Sequence, residues 1–239
     1  MKLHLVDSNV VVVANQFNPS VFSQLWLTKH GLATEEEVGG EDCAFTNVFA
    51  QVITPRFALV VTPNHLQLMV RSGVEEQQKL VEEKIGKVVE LLPHTPFSAV
   101  GLNFRYHAKP DKGDVHSLTR GLFFVEQSPL HRAFDVPDAR FGGYVSKNVL
   151  GCRLRLEVKP VIAPLEEGSP PEDLLLLGFN FHHDLSQTTG GDAIRTAVAK
   201  WNEALSEAQR IADGSRPFPA GFGIPEIVRT RLLMGHGCR

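Results

Sequence analysis

Cysteine is scarce in this sequence, and its spacing fits neither a disulfide framework nor a metal site. The 239 residues include three cysteines, Cys43, Cys152 and Cys238, and no two of them form a Cys-x-x-Cys pair. An odd number of widely spaced cysteines argues against a disulfide-stapled fold and against a zinc site built on thiolates. We therefore expect reduced thiols, as in a cytoplasmic protein.

Long hydrophobic runs are also missing. The longest early run, residues 10–14, is five residues of valine and alanine, whereas about 20 apolar residues are needed to cross a bilayer. Asp7 and Asn9 interrupt the apolar N-terminus before a signal-peptide core can form. We expect no membrane association and a cytoplasmic location.

No sign of charge dominates the chain. Twenty-four Lys and Arg residues stand against 27 Asp and Glu residues, for a net charge of −3. This balance disfavours a broad basic surface for nucleic acid, although a local contact stays possible. Arginine is nevertheless concentrated in the second half, and arginine suits bidentate pairing with carboxylate or phosphate. The candidate contacts to a partner or an anion are Arg153, Arg155, Arg229 and Arg231, with ordinary pairing to surface acids as the alternative.

Familiar catalytic motifs do not occur. The sequence contains no G-x-S-x-G elbow, no phosphate-binding GxxxxGK[ST] loop and no dinucleotide-binding GxGxxG fingerprint. We therefore predict no cofactor, and the sequence assigns no catalytic residue.

Hydrophobic periodicity predicts many strands and two long helices. Period-two patterns and turn residues indicate strands at residues 3–14, 45–53, 57–61, 65–71, 97–106, 118–126, 143–149, 152–162 and 174–183. A short helix is expected after Asn18, and a polar loop at residues 34–42. A capping box of Ser72 and Glu75 predicts the start of the first long helix. Asp192 is the predicted cap of the second, whose apolar residues recur from Ile194 to Ala212 at spacings of three and four.

These elements predict an α+β fold in which two main helices cover an antiparallel or mixed sheet. Residues 1–108 form the first half, whose order of strands and helices resembles a ferredoxin-like βαββαβ unit with an added strand. Residues 115–239 form the second half, which ends in a tail rich in glycine and proline. The loop at residues 109–114 separates the halves, either as two domains or within one continuous domain.

A short motif occurs once in each half. Residues 100–107 read VGLNFRYH and residues 177–184 read LGFNFHHD. This similarity predicts either a structural pseudo-repeat or two strands of similar composition. Because side chains alternate along a strand, we expect Leu102, Phe104 and Tyr106 in the core, with Phe179, Phe181 and His183 on the same side.

The opposite sides of the two motif strands carry the candidate binding face. Its members are polar or charged: Asn103, Arg105, His107, Asn180, His182 and Asp184. Glycine and asparagine are unfavourable inside strands, so their repetition indicates a close backbone approach or a hydrogen-bonding task. His107, His182 and Asp184 would form a His2Asp metal set if they converged, but hydrogen-bonded structural histidines are the favoured interpretation and we predict no metal.

Two functions fit these observations. The first is a non-catalytic binding or assembly subunit of a cytoplasmic complex of bacterial type, with a protein partner or a second copy of the chain. The second is an enzyme that acts on a phosphate-containing or nucleic-acid substrate through the candidate binding face. The second hypothesis requires the two motif strands to be neighbours and their polar side chains to share one accessible cleft.

Overall fold

Nine antiparallel strands form one sheet in the computed structural model, which describes residues 1–165, 168–186 and 190–214. The strands are β1 (Lys2–Ala14), β2 (Ala44–Phe45), β3 (Ala50–Ile53), β4 (Phe57–Val61), β5 (His65–Val70), β6 (Phe97–Lys109), β7 (Gly143–Val149), β8 (Cys152–Ala163) and β9 (Glu172–Asp184). Their order across the sheet is β2-β3-β4-β5-β1-β6-β9-β8-β7. The sheet runs across the loop at residues 109–114, because β6 pairs with β9.

Seven α-helices occur within the described ranges. They are α1 (Gln24–Lys29), α2 (Glu35–Val38), α3 (Val74–Leu91), α4 (Val115–Phe123), α5 (Pro129–Arg132), α6 (Gly191–Val198) and α7 (Trp201–Gly214). A 3-10 helix at Pro19–Val21 precedes α1. None of these helices is both long and apolar enough to cross a lipid bilayer.

The main core lies between one face of the sheet and helices α3, α6 and α7. Ile85 on α3 and Trp201 on α7 are fully buried. The Trp201 ring packs edge-on against Phe104 of β6, with 4.8 Å between the ring centroids. Burial of apolar surface in this layer is the main favourable term in folding. It also fixes which side of β6 and β9 remains outside the core.

The predicted α+β class with an antiparallel sheet is confirmed, but residues 118–126 are not a strand. Most of them belong to α4. Asp114 caps the N-terminus of this helix, because its carboxylate accepts hydrogen bonds from the backbone N–H groups of His116 and Ser117. Val115 and Leu118 are three residues apart, and Thr119, four residues after Val115, is fully buried. Spacings of three and four are typical of a helix. The strand prediction relied on the β-branched and aromatic residues of this segment and did not take these spacings into account.

The predicted helix starts also need correction. Gly73 precedes α3 and no side chain caps it, so Ser72 and Glu75 do not form a capping box. The capping box lies instead within the predicted loop at residues 34–42, where Thr34 and Glu37 exchange hydrogen bonds at the start of α2. Gly190, rather than Asp192, precedes α6.

The second long helix is two helices, because α6 ends at Val198 and α7 begins at Trp201. At the break, Lys200 donates from Nζ to the carbonyl oxygen of Leu150, at 2.8 Å. The predicted strand at residues 45–53 is likewise divided into β2 and β3. In both cases the local pattern predicts one continuous element where the structure has two.

Candidate functional site

The polar sides of β6 and β9 lie together on the face of the sheet opposite α3, α6 and α7, here called the open face. Leu102, Phe104 and Tyr106 are at most 1% exposed, and Phe179 and Phe181 are equally buried on the core side. Asn103 and Asn180 are half-buried on the open face, while Arg105 is exposed there. The predicted division of side chains between the two faces is therefore confirmed for these positions.

The strand register places Asn103 directly opposite Asn180. Asn9 of β1 lies opposite Asn103 on its other side, so three asparagines cross three neighbouring strands in one row. Asn9 was missed by the sequence analysis, although the polar run at residues 7–9 inside an apolar strand marks it. Cross-strand neighbours of this kind are close enough for their side chains to interact.

Hydrogen bonds join the three asparagines into what we call the amide chain. Asn180 donates from Nδ2 to Oδ1 of Asn103, and Asn103 donates from Nδ2 to Oδ1 of Asn9, at 2.9 Å. Asn9 in turn donates to Oδ2 of Asp7, at 3.1 Å. Because an ionised carboxylate can only accept, Asp7 sets the direction of every amide in the chain. The free end of the amide chain is the side-chain oxygen of Asn180, Oδ1, which accepts no hydrogen bond from another described residue.

The direction of the amide chain leaves one motif glycine covered and the other bare. A Cβ atom on Gly101 would lie 2.9 Å from Nδ2 of Asn180, so the Asn180 amide occupies the space above Gly101. A Cβ atom on Gly178 would meet only Glu157, at 3.9 Å or more. The atoms closest to Gly101 are side-chain amide atoms and not backbone, so the predicted close backbone approach is not found at Gly101, and Gly178 has no close neighbour.

Gly178 lies in a depression of the open face, here called the hollow, with a volume of about 570 Å³. The side chains around it are mainly polar and include Asp7, Arg105, Arg155, Tyr144, Glu157, Asn180 and His182. A volume in this range suits a small-molecule ligand. The structure thus brings four of the six residues of the candidate binding face, Asn103, Arg105, Asn180 and His182, into one accessible place.

Two guanidinium groups border the hollow without a carboxylate partner. Arg105 lies opposite Gly178, and Arg155 lies opposite Asn180 on the other side of β9. Neither forms a salt bridge or a hydrogen bond with another residue in the described part of the chain. Two acids also line the hollow: Asp7, which lies opposite Arg105 and accepts a hydrogen bond from Asn9, and Glu157, which pairs with Lys159 at 2.9 Å.

Arg153 and Arg155 share the exposed side of β8, as predicted, but only Arg155 lines the hollow. Arg153 instead donates to Oδ1 of Asn148, at 3.2 Å, and to the Ser146 hydroxyl. Arg229 and Arg231 lie outside the described residues.

His182 is a neutral hydrogen-bonding group at neutral pH. Burial lowers its pKa below the usual 6.5, and the positive charge of Arg155 lowers it further, while Asp184 opposes the shift. Asp184 is itself held ionised, because hydrogen bonds from Ser186 lower the pKa of its carboxyl. Neutral imidazole can accept a proton or donate a hydrogen bond.

His107 does not join this group. It lies opposite Leu176, six residues along β9 from His182, which corresponds to about 20 Å in an extended strand. One of its ring nitrogens lies 3.2 Å from the carbonyl oxygen of Pro164. His107, His182 and Asp184 therefore do not converge, and the described residues contain no cluster of three His, Cys, Asp or Glu side chains suited to a metal ion.

Comparison with known proteins adds no family to this description. No protein-family model matches the chain, and no curated protein matches its sequence.

Proposed function

We propose that this chain is a binding subunit of a cytoplasmic complex and that it holds a small anionic ligand in the hollow. The supporting observation is the pair of guanidinium groups that line the hollow on the two sides of β9, Arg105 opposite Gly178 and Arg155 opposite Asn180, two residues farther along the strand. Unpaired guanidinium groups attract carboxylate or phosphate, and charge-assisted hydrogen bonds are about twice as strong as neutral ones.

The rest of the site supports a preorganised binding surface. The amide chain fixes the orientation of Asn103 and Asn180 before a ligand arrives, because each amide is already held by its neighbour. Groups that are ordered in advance lose less conformational entropy on binding. The side chains that line the hollow all belong to strands of the sheet, namely β5, β1, β6, β9, β8 and β7, which are consecutive neighbours in it.

Titration with inorganic pyrophosphate by isothermal calorimetry tests this proposal. We expect saturable binding, and we expect Arg105→Gln and Arg155→Gln each to weaken it by about tenfold or more, since a charge-assisted hydrogen bond contributes about 1.5–3 kcal/mol. Arg56→Gln is the matched control, because Arg56 is an exposed arginine that pairs with Glu76 at 3.8 Å. Equal effects of all three substitutions, or no binding by the wild type, would contradict the proposal.

A second candidate function is an enzyme that acts on a phosphate-containing substrate in the same hollow. The observation in its favour is His182, whose lowered pKa keeps an imidazole neutral beside Arg155. A neutral imidazole is suited to general-base work. Release of phosphate from a bound ester that disappears in His182→Gln, while pyrophosphate still binds, would favour this function over simple binding.

Assembly with a protein partner is the third part of the proposal. β7 forms one end of the sheet, where its outer edge has no strand partner in the described part of the chain. Tyr144 and Val145 on this edge are 63% and 55% exposed. An exposed edge strand can pair with another chain. Light scattering that gives the mass of a monomer at high concentration would count against a homo-oligomer.

We further propose that the first half is a ferredoxin-like unit and that the two motifs are a local pseudo-repeat. The strand order β4-β5-β1-β6, with α3 between β5 and β6, supports the first proposal. For the second, a local two-fold axis through the Asn103–Asn180 pair would superpose residues 100–107 on residues 177–184, because the two strands are antiparallel about that pair.

A further inference from the structure

The side chains of the hollow lie in an order that matches the parts of a nucleotide. We infer that the anionic ligand is a nucleotide whose phosphate contacts Arg105 and Arg155, whose ribose lies at Glu157 and whose base stacks on Tyr144. This inference rests on the proposed function, since it names the class of ligand for the same site. It is carried by one cross-strand row: Arg105, Gly178, Glu157 and Tyr144, on β6, β9, β8 and β7.

The row continues onto β1 at Asp7, which lies opposite Arg105 and also lines the hollow. The phosphate end of the proposed site lies at Arg105 and Gly178, where two guanidinium groups, those of Arg105 and Arg155, stand against this one carboxylate. Gly178 has no side chain to exclude an oxyanion from the strand. Arg155 approaches the same place from the other side of β9, where it lies opposite Asn180. Two guanidinium groups on either side of a bare strand can donate to different oxygens of one phosphate group.

The middle of the row offers hydrogen-bond acceptors. Nζ of Lys159 donates to Oε1 of Glu157, while Oε2 has no hydrogen-bond partner in the described part of the chain. The free carbonyl oxygen of Asn180 is the second acceptor. Ribose hydroxyls are donors, and a carboxylate is a common partner for them in nucleotide sites. An inorganic anion would leave both acceptors unused.

The far end of the row is an exposed aromatic ring. Tyr144 is 63% exposed, lines the hollow and lies opposite Glu157. Three strand spacings separate it from Arg105, or about 14 Å between backbones, and the long side chains at both ends reduce that span. Nucleobases stack on exposed aromatic rings, so Tyr144 is suited to hold the base of a nucleotide.

Competition among small ligands tests the inference. By calorimetry we expect AMP to bind about tenfold more tightly than ribose 5-phosphate, and Tyr144→Ala to remove that difference without changing the affinity for pyrophosphate. Phe134→Ala is the matched control, because Phe134 is an aromatic residue of similar exposure, 56%, that does not line the hollow. Glu157→Gln is expected to weaken AMP more than pyrophosphate.

Three outcomes would overturn the inference. The first is equal affinity for AMP and ribose 5-phosphate. The second is an unchanged affinity of Tyr144→Ala for AMP in a variant whose circular dichroism matches the wild type. The third is binding of a ten-nucleotide single strand more than tenfold tighter than AMP, which would identify a nucleic-acid surface instead. In the first two cases the proposed function survives if pyrophosphate binding still requires Arg105 and Arg155, and it fails if pyrophosphate does not bind.

Discussion

Alanine substitutions at the two motif glycines are expected to differ in their effect on the free energy of unfolding, although their sequence contexts are similar. Gly178→Ala places a methyl group no closer than 3.9 Å to its neighbours. Replacing a strand glycine by alanine where the conformation is compatible stabilises a protein by about 0.4–1 kcal/mol, because the unfolded chain loses freedom. We expect a small gain, or no change, in the free energy of unfolding of this variant.

Gly101→Ala should be less stable than Gly178→Ala. Its methyl group would lie 2.9 Å from Nδ2 of Asn180, so the Asn180 amide has to move. That movement breaks the hydrogen bond from Asn180 to Asn103, at a cost of about 0.5–1.5 kcal/mol for a typical bond. The entropic gain seen at Gly178 offsets part of this cost. The two variants should therefore differ by about 0.5–1.5 kcal/mol.

Urea denaturation of both variants and the wild type measures this difference. A third variant, Asn180→Ala, removes the amide that obstructs Gly101, and in that background Gly101→Ala should no longer have the cost of the broken hydrogen bond. The amide-chain geometry would be refuted if Gly101→Ala were as stable as Gly178→Ala. It would also be refuted if the cost of Gly101→Ala were the same with and without Asn180.

Three further predictions concern the core and the titrating groups. Trp201→Ala should lower the free energy of unfolding by about 3–5 kcal/mol, as expected for a fully buried aromatic residue. Trp201→Phe should cost much less in the same urea denaturation experiment, because the buried Trp201 Nε1 has no hydrogen-bond partner in the described residues. Hydrogen bonds from Arg210 and Lys147 lower the pKa of Glu207 to about 2, from 4.5, so its contribution to stability is present above pH 4.5 and is lost as the pH falls towards 2. In Glu207→Gln the melting temperature should therefore change less with pH between 4.5 and 2 than it does in the wild type. Burial, with a smaller effect of Lys200, lowers the pKa of His183 to about 4, from 6.5. As the pH falls from 6.5 to 4, the unfolded chain binds this proton before the folded chain does, so the free energy of unfolding decreases. An equally steep decrease in His183→Gln would contradict this assignment.

Period-two alternation was sufficient to predict the faces of β6 and β9. The buried side chains of Leu102, Phe104 and Phe181 and the outward asparagines follow directly from it. Alternation is a local property of an extended chain, so it can be read without knowledge of the neighbouring strands. The same local reasoning failed at α4, because a helix of nine residues offers few periodic positions and its β-branched residues resemble a strand.

The candidate site was predicted only in part, because its members come from strands that are distant in sequence. Asn103 and Asn180 were identified by the motif, whereas Asn9 and Tyr144 belong to strands outside it. His107 and Asp184 were predicted on the same face as Asn103 and Asn180, but the register places them at opposite ends of the β6–β9 pair, His107 opposite Leu176 and Asp184 opposite Ala99. Without the register of β6 against β9, no sequence pattern distinguishes a residue in the hollow from one about 20 Å away.

Local patterns were sufficient to predict the fold class, the central strands and which side chains of the motif strands point away from the core, because propensity and periodicity act over a few residues. The tertiary structure alone decided how those strands align and in which direction the amide chain runs. Register depends on packing of the whole core against α3, α6 and α7, and a shift of one residue would exchange the two faces of a strand. That alignment covers Gly101, leaves Gly178 bare and brings Arg105 and Arg155 to the same hollow.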